Sequence, residues 1–230
     1  MPRMCGRFTY LFTWKQLHER MRLTSEPLDL TPRYNVAPTQ TAPIIRRRDG
    51  EQGASMMRWG LVPFWATDMS IGNRMINARS EEASVKPAFR AAFKSRRCIV
   101  PVSGFYEWKK LGEGLRKQPY YLRPPGGGIF AFAGLWESWR GGVSAVDAEL
   151  LTFTILTTRA SEFVGPIHDR MPVIVSDEGA DRWLDPSTPP AELQQLLVPA
   201  PEGSVEAYAV ATRVNSPAND APDLIEPAAA

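Results

Sequence analysis

The nine residues 150–158, LLTFTILTT, decide the fold class of this chain. Polar and apolar side chains alternate with period two from Thr152 to Ile155, which predicts a half-buried strand in an antiparallel sheet. Further short apolar or alternating runs, bounded by Gly, Pro and Asp, predict more strands. These runs are residues 44–45, 56–62, 98–102, 105–108, 120–122, 129–136 and 173–175.

Short helices are predicted between these strands. Residues 13–16 have the form of a capping box, and Trp14, Leu17 and Met21 recur at helical spacing, so a helix is expected over 14–21. Helices are also predicted over 84–94, 176–184 and 190–197. Because strands and helices do not follow a βαβ rhythm, we predict an α+β fold. Its core is a mainly antiparallel sheet or is β-barrel-like, with short helices at its flanks.

Length and composition indicate one globular unit. The chain has 230 residues, 43% of them hydrophobic, which is enough for one sizeable core. We expect a single domain over residues 1–230, with a removable segment at 1–4 and a poorly ordered, proline-rich tail from about 216 to 230. No apolar run approaches the ~20 residues of a membrane helix, and no signal-peptide stretch follows Met1. A cytoplasmic protein without membrane contact is therefore expected.

Cysteine and histidine are scarce, since the chain has only Cys5, Cys98, His18 and His168. They are too few and too far apart for a disulfide framework or a zinc site, and no metal or organic cofactor is indicated. Cys98 lies in an apolar run and is interpreted as a buried packing residue.

The net charge of +2 does not by itself indicate a nucleic-acid partner. The basic residues are unevenly distributed, however, because the segment 84–97 contains five of them and no acid. Charge alone leaves two interpretations open, a basic binding face and a solvated helix face.

Cys5 is the most reactive candidate. A cysteine that becomes the first residue carries a free α-amine beside its thiol, and this pair can condense with an aldehyde to a five-membered thiazolidine. An internal cysteine has only an amide nitrogen and stops at a labile hemithioacetal. Arg7, two residues further on, could hold a phosphate or carboxylate beside the thiol. The alternative is that Cys5 is one residue of a frayed terminus.

Three other residues have unusual local settings. Glu107 lies among aromatic residues in a predicted strand, and a glutamate that faces the core can accept and donate protons. His168 lies in a Pro-bounded loop beside Asp169 and Arg170, the kind of position where catalytic groups are often found. Asn77 lies between two arginines. The alternatives are an edge-strand glutamate facing water, a histidine without a catalytic role, and a turn in which Asn77 bonds its own backbone.

This set of side chains also fits a thiol peptidase. The cysteine lacks the local signature of papain-like enzymes, however, and precedes its predicted helix by several residues. Cleavage of the chain's own Met4–Cys5 bond is more natural. The thiol would attack the Met4 carbonyl, the acyl group would shift to sulfur, and water would release the preceding segment.

Six sequence blocks together resemble the SRAP (SOS response-associated peptidase) proteins, a family that protects abasic sites in single-stranded DNA by covalent crosslinking. The blocks, in the family's order, are MCGRF (4–8), RYNVAP (33–38), RWGLVPFW (58–65), INARSE (76–81), GFYEW (104–108) and IHDRMP (167–172). Residues 213–215 and 224–225 fit the family's C-terminal segment. Each block alone is weak evidence, whereas six blocks in order are specific.

The resemblance implies a mixed α/β fold with a β-barrel-like core and a set of roles for the residues in these blocks. Cys5 would be the nucleophile, Asn77 would position it and the opened sugar, Glu107 would handle protons at the amine, and His168 would assist ring opening. The DNA-binding residues implied are Arg7, Asn35, Pro38, Trp65, Arg79 and Arg170. The partner implied is single-stranded DNA containing abasic sites, with single/double-strand junctions as an option, bound by a nucleoid-associated monomer.

Two features depart from the family pattern. Members commonly begin Met-Cys, whereas three residues precede Met4 here, so either translation starts at Met4 or the protein cleaves itself before Cys5. Ala66 stands where some relatives have a second tryptophan, which predicts weaker stacking beside Trp65. Two other functions remain open, a thiol peptidase that acts on other proteins and a noncatalytic single-strand DNA-binding module.

Overall fold

More residues lie in β-strands than in helices, and the α+β prediction is confirmed. The computed structural model describes residues 6–48, 50–114, 116–141 and 149–228. The strands are β1 (Phe8–Tyr10), β2 (Arg33–Val36), β3 (Thr41–Arg48), β4 (Glu51–Trp59), β5 (Asn77–Arg79), β6 (Arg97–Val102), β7 (Gly104–Lys109), β8 (Gln118–Arg123), β9 (Phe130–Trp139), β10 (Leu150–Arg159), β11 (Arg170–Pro172), β12 (Ile174–Val175) and β13 (Glu206–Ala209). The α-helices are α1 (Trp14–Met21), α2 (Ser80–Ala83), α3 (Arg90–Ser95), α4 (Asp177–Leu184) and α5 (Pro190–Gln195), and 3-10 turns cover Met69–Arg74, Thr212–Asn215 and Pro222–Ile225.

The strands form two sheets. The first has the order β13-β8-β7-β1-β2, with antiparallel pairing throughout. In the second, β10 pairs with both β4 and β9, so the strands β10-β4-β3-β6-β9 close into a ring, called the barrel below. Closure removes the exposed edges that an open sheet of these strands would have. The β-barrel-like core expected from the sequence is therefore present.

The central strand β10 differs from its prediction. It is not half-buried, because every residue from Thr152 to Thr158 is buried. It is antiparallel to β9 and β11 but parallel to β4 and β5. The alternating threonines do not mark a solvent face, since the Thr152 hydroxyl, for example, accepts a hydrogen bond from the backbone N–H of Val62 at 2.9 Å. Buried hydroxyls of this kind are tolerated when they have partners inside the protein.

The helix predictions are largely confirmed. Helix α1 covers the predicted residues and has the capping box between Thr13 and Gln16. Helix α4 begins after its N-cap Ser176, whose side chain accepts from the backbone N–H of Gly179. The single helix predicted over 84–94 is wrong, because the chain forms turns between α2 and α3. Pro87 lies in this interval, and proline disfavours helical geometry in the residue before it.

The strands β1, β2, β5, β11 and β13 were missed by the sequence pattern. Each has only three or four residues, which is too short for a period of two to be recognised. Cys98, by contrast, is fully buried on β6 as expected, and burial raises the pKa of its thiol. No helix in the described ranges is both long and apolar enough to cross a bilayer.

The segment after residue 215, expected to be poorly ordered, is held by Asn35 and Asp220. The Asn35 side chain is fully buried, and its amide donates to the carbonyls of Val214, Ser216 and Asn219 at 3.2, 3.0 and 2.8 Å. Asp220 accepts from the backbone N–H groups of Tyr34 and Asn35. One buried amide thus joins β2 to the C-terminal segment.

We predict that Asn35→Ala lowers the free energy of unfolding by about 3 kcal/mol, because several buried polar groups lose their partner at once. The measurement is urea unfolding at neutral pH. Asn215→Ala is the matched control, since the exposed Asn215 side chain accepts a single hydrogen bond from the residues that the structure describes, from Trp108 Nε1 at 2.7 Å, and its loss should cost about 1 kcal/mol. Equal losses in the two variants would contradict the joining role of Asn35.

Candidate functional site

The start of the described chain runs beside Glu107. Strands β1 and β7 are antiparallel with Phe8 opposite Phe105, and the backbone N–H of Tyr106 donates to the Arg7 carbonyl at 3.0 Å. This register, extended by two residues from the Phe8–Phe105 pair, puts Gly6 opposite Glu107. The Glu107 side chain is only 1% exposed and shares a face of β7 with the core residue Phe105. A buried carboxyl group therefore lies next to the segment that leads to Cys5, which is itself outside the described residues.

Trp59 connects this segment to Asn77. The indole packs against the Phe8 ring with centroids 4.9 Å apart, and its Nε1 donates to the carbonyl of Ile76 at 2.8 Å. Ile76 immediately precedes Asn77, the first residue of β5. Because Trp59 is fully buried and such aromatic pairs stabilise by about 0.5–1.5 kcal/mol, the separation between β1 and β5 is fixed by packing.

His168 lies at the end of the loop between β10 and β11, and its side chain is only 12% exposed. The backbone N–H of Arg170 donates to its Nδ1 at 3.1 Å, and the Asp169 carboxylate is also 3.1 Å from Nδ1. When the imidazole is neutral and accepts from Arg170, its proton lies on Nε2. In that tautomer the His168 Nε2 can donate a proton.

An ion pair joins the segments that carry Asn77 and His168. Strands β5 and β11 flank β10, so Arg79 and Pro172 both pair with Thr157. Across this junction Arg170 donates to both carboxylate oxygens of Glu81 at 2.7 and 2.8 Å, and also to the Thr157 carbonyl. The hydrogen bonds from Arg170 lower the pKa of Glu81 to about 2. The pair therefore stays ionised at neutral pH.

One cavity near His168 contains residues that the sequence reasoning missed. It has a volume of about 390 Å³ and is lined by residues 165–169 together with Trp108, Lys110 and Lys117. Trp108 follows Glu107 directly, so the cavity links the end of β7 to the His168 loop. In the sequence, these residues are indicated only by the two lysines on either side of the β7–β8 turn. Their closeness follows from the pairing of the two strands, which the sequence pattern does not give.

The six predicted DNA-binding residues differ in burial and in their bonds within the protein. Arg7 is bonded inside the protein, to Asn35 Oδ1 at 2.9 Å and to the carbonyls of Val214 and Asn215 at 2.8 and 3.1 Å. Asn35 makes the buried contacts described above, and Pro38 is half-buried in the turn after β2. The DNA-binding role of each of these residues stays a prediction.

Arg79 and Trp65 differ from the others because their side chains face solvent. Arg79 is exposed on β5 and has no ion pair with any residue that the structure describes. Trp65 is 50% exposed in the loop after β4, and its neighbour Phe64 is 59% exposed. A hydrogen bond anchors this loop to the end of β9, since Trp139 Nε1 donates to the Ala66 carbonyl at 2.7 Å. Two aromatic faces are thus available for stacking.

The basic segment 84–97 is less basic than its sequence indicates. Arg97 is buried and donates to backbone carbonyls of Phe93, Trp183 and Asp185, among others. Lys86 and Arg96 form ion pairs with Glu82 and Glu137. Arg90 and Lys94 are exposed and form no ion pair within the described part of the chain. Within the described ranges, no three His, Cys, Asp or Glu side chains are close enough together to hold a metal ion.

Comparisons with known proteins agree with one another. Residues 4–217 match the family model described as SOS response associated peptidase (SRAP). Abasic site processing protein YoqW of Bacillus subtilis is 43% identical over 226 residues, which cover 97% of this chain and 99% of that protein. Abasic site processing protein HMCES of Gallus gallus is 33% identical over 231 residues, which cover 85% of this chain and 66% of that protein. A solved protein from Bacteroides thetaiotaomicron superposes with a TM-score of 0.86 and 29% identity, covering 98% of this chain and all of that one.

The Glu81–Arg170 pair predicts a specific pH dependence of stability. Because the pKa of Glu81 is depressed on folding, its contribution is fully present above about pH 4.5 and is lost as the pH falls towards 2. Glu81→Gln should lower the free energy of unfolding by about 0.5–1 kcal/mol at pH 6, since the pair is partly exposed. The effect should be much smaller near pH 2, where about half of the Glu81 carboxyl groups are protonated.

Chemical unfolding of both proteins across this pH range measures the difference. Glu226→Gln is the control, because it removes an exposed carboxylate that has no ion pair within the described part of the chain. A Glu81→Gln effect that is the same at pH 6 and pH 2 would show that the charge of Glu81 is irrelevant.

Proposed function

This chain belongs to the SOS response associated peptidase (SRAP) family, and from this membership we propose that it recognises abasic sites in single-stranded DNA and bonds to them covalently. The family match and the relatives named as abasic site processing proteins extend over nearly the whole chain. The observation that carries the proposal is the register of β1 and β7, which brings the segment after Cys5 alongside a buried carboxyl group.

The proposed reaction needs a mature chain that begins at Cys5. Its α-amine attacks the aldehyde carbon of the ring-opened sugar and, with loss of water, forms an imine. The Cys5 thiol then adds to the imine carbon and closes a thiazolidine. One C–N bond and one C–S bond form, one water leaves, and nothing is oxidised or reduced.

The proposed reaction needs neighbouring side chains that accept and donate protons. A free α-amine has a pKa of about 7.7–8.0 and a free thiol of about 8.5, so at neutral pH both nucleophiles are mostly protonated. Glu107 would accept the amine proton and return it to the departing hydroxyl. His168 would donate its Nε2 proton to the sugar ring oxygen as the ring opens, while Asn77 would hold the amine and the open-chain sugar. Each such group typically contributes about 10²–10⁴-fold in rate.

Selectivity would come from the aldehyde, since an intact nucleotide has no electrophilic carbon for the amine to attack. Affinity would come from the strand. Arg79 is the best placed arginine for a phosphate, because it is exposed and forms no ion pair within the described part of the chain. Trp65 and Phe64 offer faces for base stacking, which contributes about 1–3 kcal/mol per base. Neither contact reads base identity.

Residues before Cys5 would be removed by the chain itself. The Cys5 thiol attacks the Met4 carbonyl carbon, the acyl group passes from nitrogen to sulfur, and water hydrolyses the thioester. The products are a peptide ending at Met4 and a chain with a free amine and thiol at Cys5. Intact-mass measurement of purified protein follows this step directly.

The first prediction from the proposed reaction concerns the Cys5 amine and thiol. In chains prepared to begin at residue 5, wild-type protein should form an adduct with an abasic oligonucleotide that survives a denaturing gel. Cys5→Ser keeps the amine but replaces the thiol, so it should stop at the imine and give a stable adduct only after borohydride reduction. Cys98→Ala, which removes the other thiol, should behave as wild type. An intact oligonucleotide should give no adduct with any of them.

A Cys5→Ser adduct that persists without reductant would rule out thiazolidine formation. Equal binding of abasic and intact strands with no adduct from wild type would favour a noncatalytic binding module. Cys5-dependent fragmentation of an added unfolded protein would favour a general thiol peptidase.

The second prediction concerns Glu107. Glu107→Gln should slow adduct formation about 10²–10⁴-fold at neutral pH, because the amide cannot accept the amine proton. Rates are measured in single-turnover gel assays with excess protein. Glu137→Gln is the matched control, since Glu137 is equally buried but lies on β9 and pairs with Arg96 at 2.8 Å. It should lose stability and keep its rate. Similar rates for Glu107→Gln and wild type would remove the proposed role.

A further inference from the structure

The β7–β8 hairpin carries a cluster of bases around its turn. Lys109 and Gln118 form the last pair of the two strands, so Lys110 and Lys117 are the first turn residues on either side. The sequence around this turn has more bases than acids, with Lys109, Lys110, Arg116 and Lys117 against Glu113.

Neither Lys110 nor Lys117 forms an ion pair within the described part of the chain. Arg20, Arg33 and Arg123, by contrast, form ion pairs with Asp177, Asp220 and Glu206. Lys110 is exposed, and Lys117 is half-buried. An ammonium group without a carboxylate partner is stabilised when an external anion approaches it.

Both lysines line the cavity of about 390 Å³ that His168 also lines. The acid in this lining is Asp169, whose side chain is 88% exposed and lies 3.1 Å from His168 Nδ1. Two ammonium groups thus face one carboxylate that is directed towards the histidine. Trp108 forms another wall and is fixed by its bond to Asn215 at 2.7 Å. The cavity is therefore a preformed, positively charged recess next to a proposed catalytic group.

We infer that this cavity, called the lysine recess, binds a backbone phosphate of the DNA strand on one side of the abasic nucleotide. The inference rests on the proposed function. If the abasic sugar lies at His168, the DNA strand that continues from it passes close to the residues beside His168. Lysines are compact charges with rotatable donors, so they suit a contact that fixes the strand without reading its sequence. Arg79, on the other side of the site, would hold the opposite flank.

The test compares wild type with the double variant Lys110→Gln/Lys117→Gln in binding to an intact single-stranded oligonucleotide over a range of salt concentrations. Each phosphate contact to a single strand contributes about 0.7 to the slope of log affinity against log salt. Because the recess binds one phosphate, the variant should lose about 0.7 from this slope and bind roughly 5-fold more weakly at 0.1 M salt. The matched control is Arg90→Gln/Lys94→Gln, which removes the same charge from exposed positions on α3 and should leave the slope unchanged.

The side of the lesion is tested with abasic oligonucleotides cut short on the 5′ or the 3′ flank. The difference between wild type and the lysine variant should persist on one of them and vanish on the other. The melting temperature of the variant should equal that of wild type, because neither lysine forms an ion pair within the described part of the chain. An equal melting temperature excludes misfolding as the cause of weak binding.

Three results would overturn the inference. They are an unchanged salt slope in the lysine variant, an equal loss in the α3 control, and a difference that is the same on both shortened oligonucleotides. Failure of the proposed function is distinguishable from these, because wild-type protein would then form no denaturation-resistant adduct whatever the salt slopes are.

Discussion

The arrangement of the site depends on β10, which is paired along both edges and buried on both faces. Its first half binds β9 and β4 and thereby closes the barrel, and its second half binds β11 and β5. Asn77 begins β5, and His168 ends the loop that leads into β11. A strand without a free edge or an exposed face cannot shift its register without exposing its core side chains. The spacing of these two residues is thus a property of the barrel.

A second constraint holds the start of the chain. Strand β1 has only three residues, which is too few to be stable alone, yet it lies between β7 and β2 and packs on Trp59. Arg7 extends the attachment because it bonds to Asn35 and to the carbonyls of Val214 and Asn215. The C-terminal segment, far away in sequence, therefore fixes the residues that follow Cys5. Such buried polar contacts are costly when incomplete, and here each donor of the Asn35 amide has a carbonyl partner.

The sequence was informative where structure is determined by neighbours along the chain. The capping box at Thr13 gave helix α1, and the alternation in 150–158 identified the most important strand. The errors come from contacts between distant residues. Alternating threonines indicated a solvent face, whereas these threonines are buried and the Thr152 hydroxyl bonds to the Val62 backbone. Parallel pairing of β5 with β10, the bonding of Arg7 and Asn35 to the C-terminal segment, and the position of Lys110 and Lys117 beside the His168 loop all depend on contacts between distant residues, which no local pattern contains.

The same reasoning applies to charge. The chain has a net charge of +2, and in its basic segment 84–97 the fold buries Arg97 and pairs Lys86 and Arg96 with carboxylates. What attracts a polyanion is the set of bases that the protein leaves without carboxylates, because a paired base contributes little to the field at a distance. Near the site these bases include Arg79 and the two lysines of the recess. Which bases can contact a phosphate is therefore decided by pairing within the fold, and neither the net charge nor the local sequence reveals it.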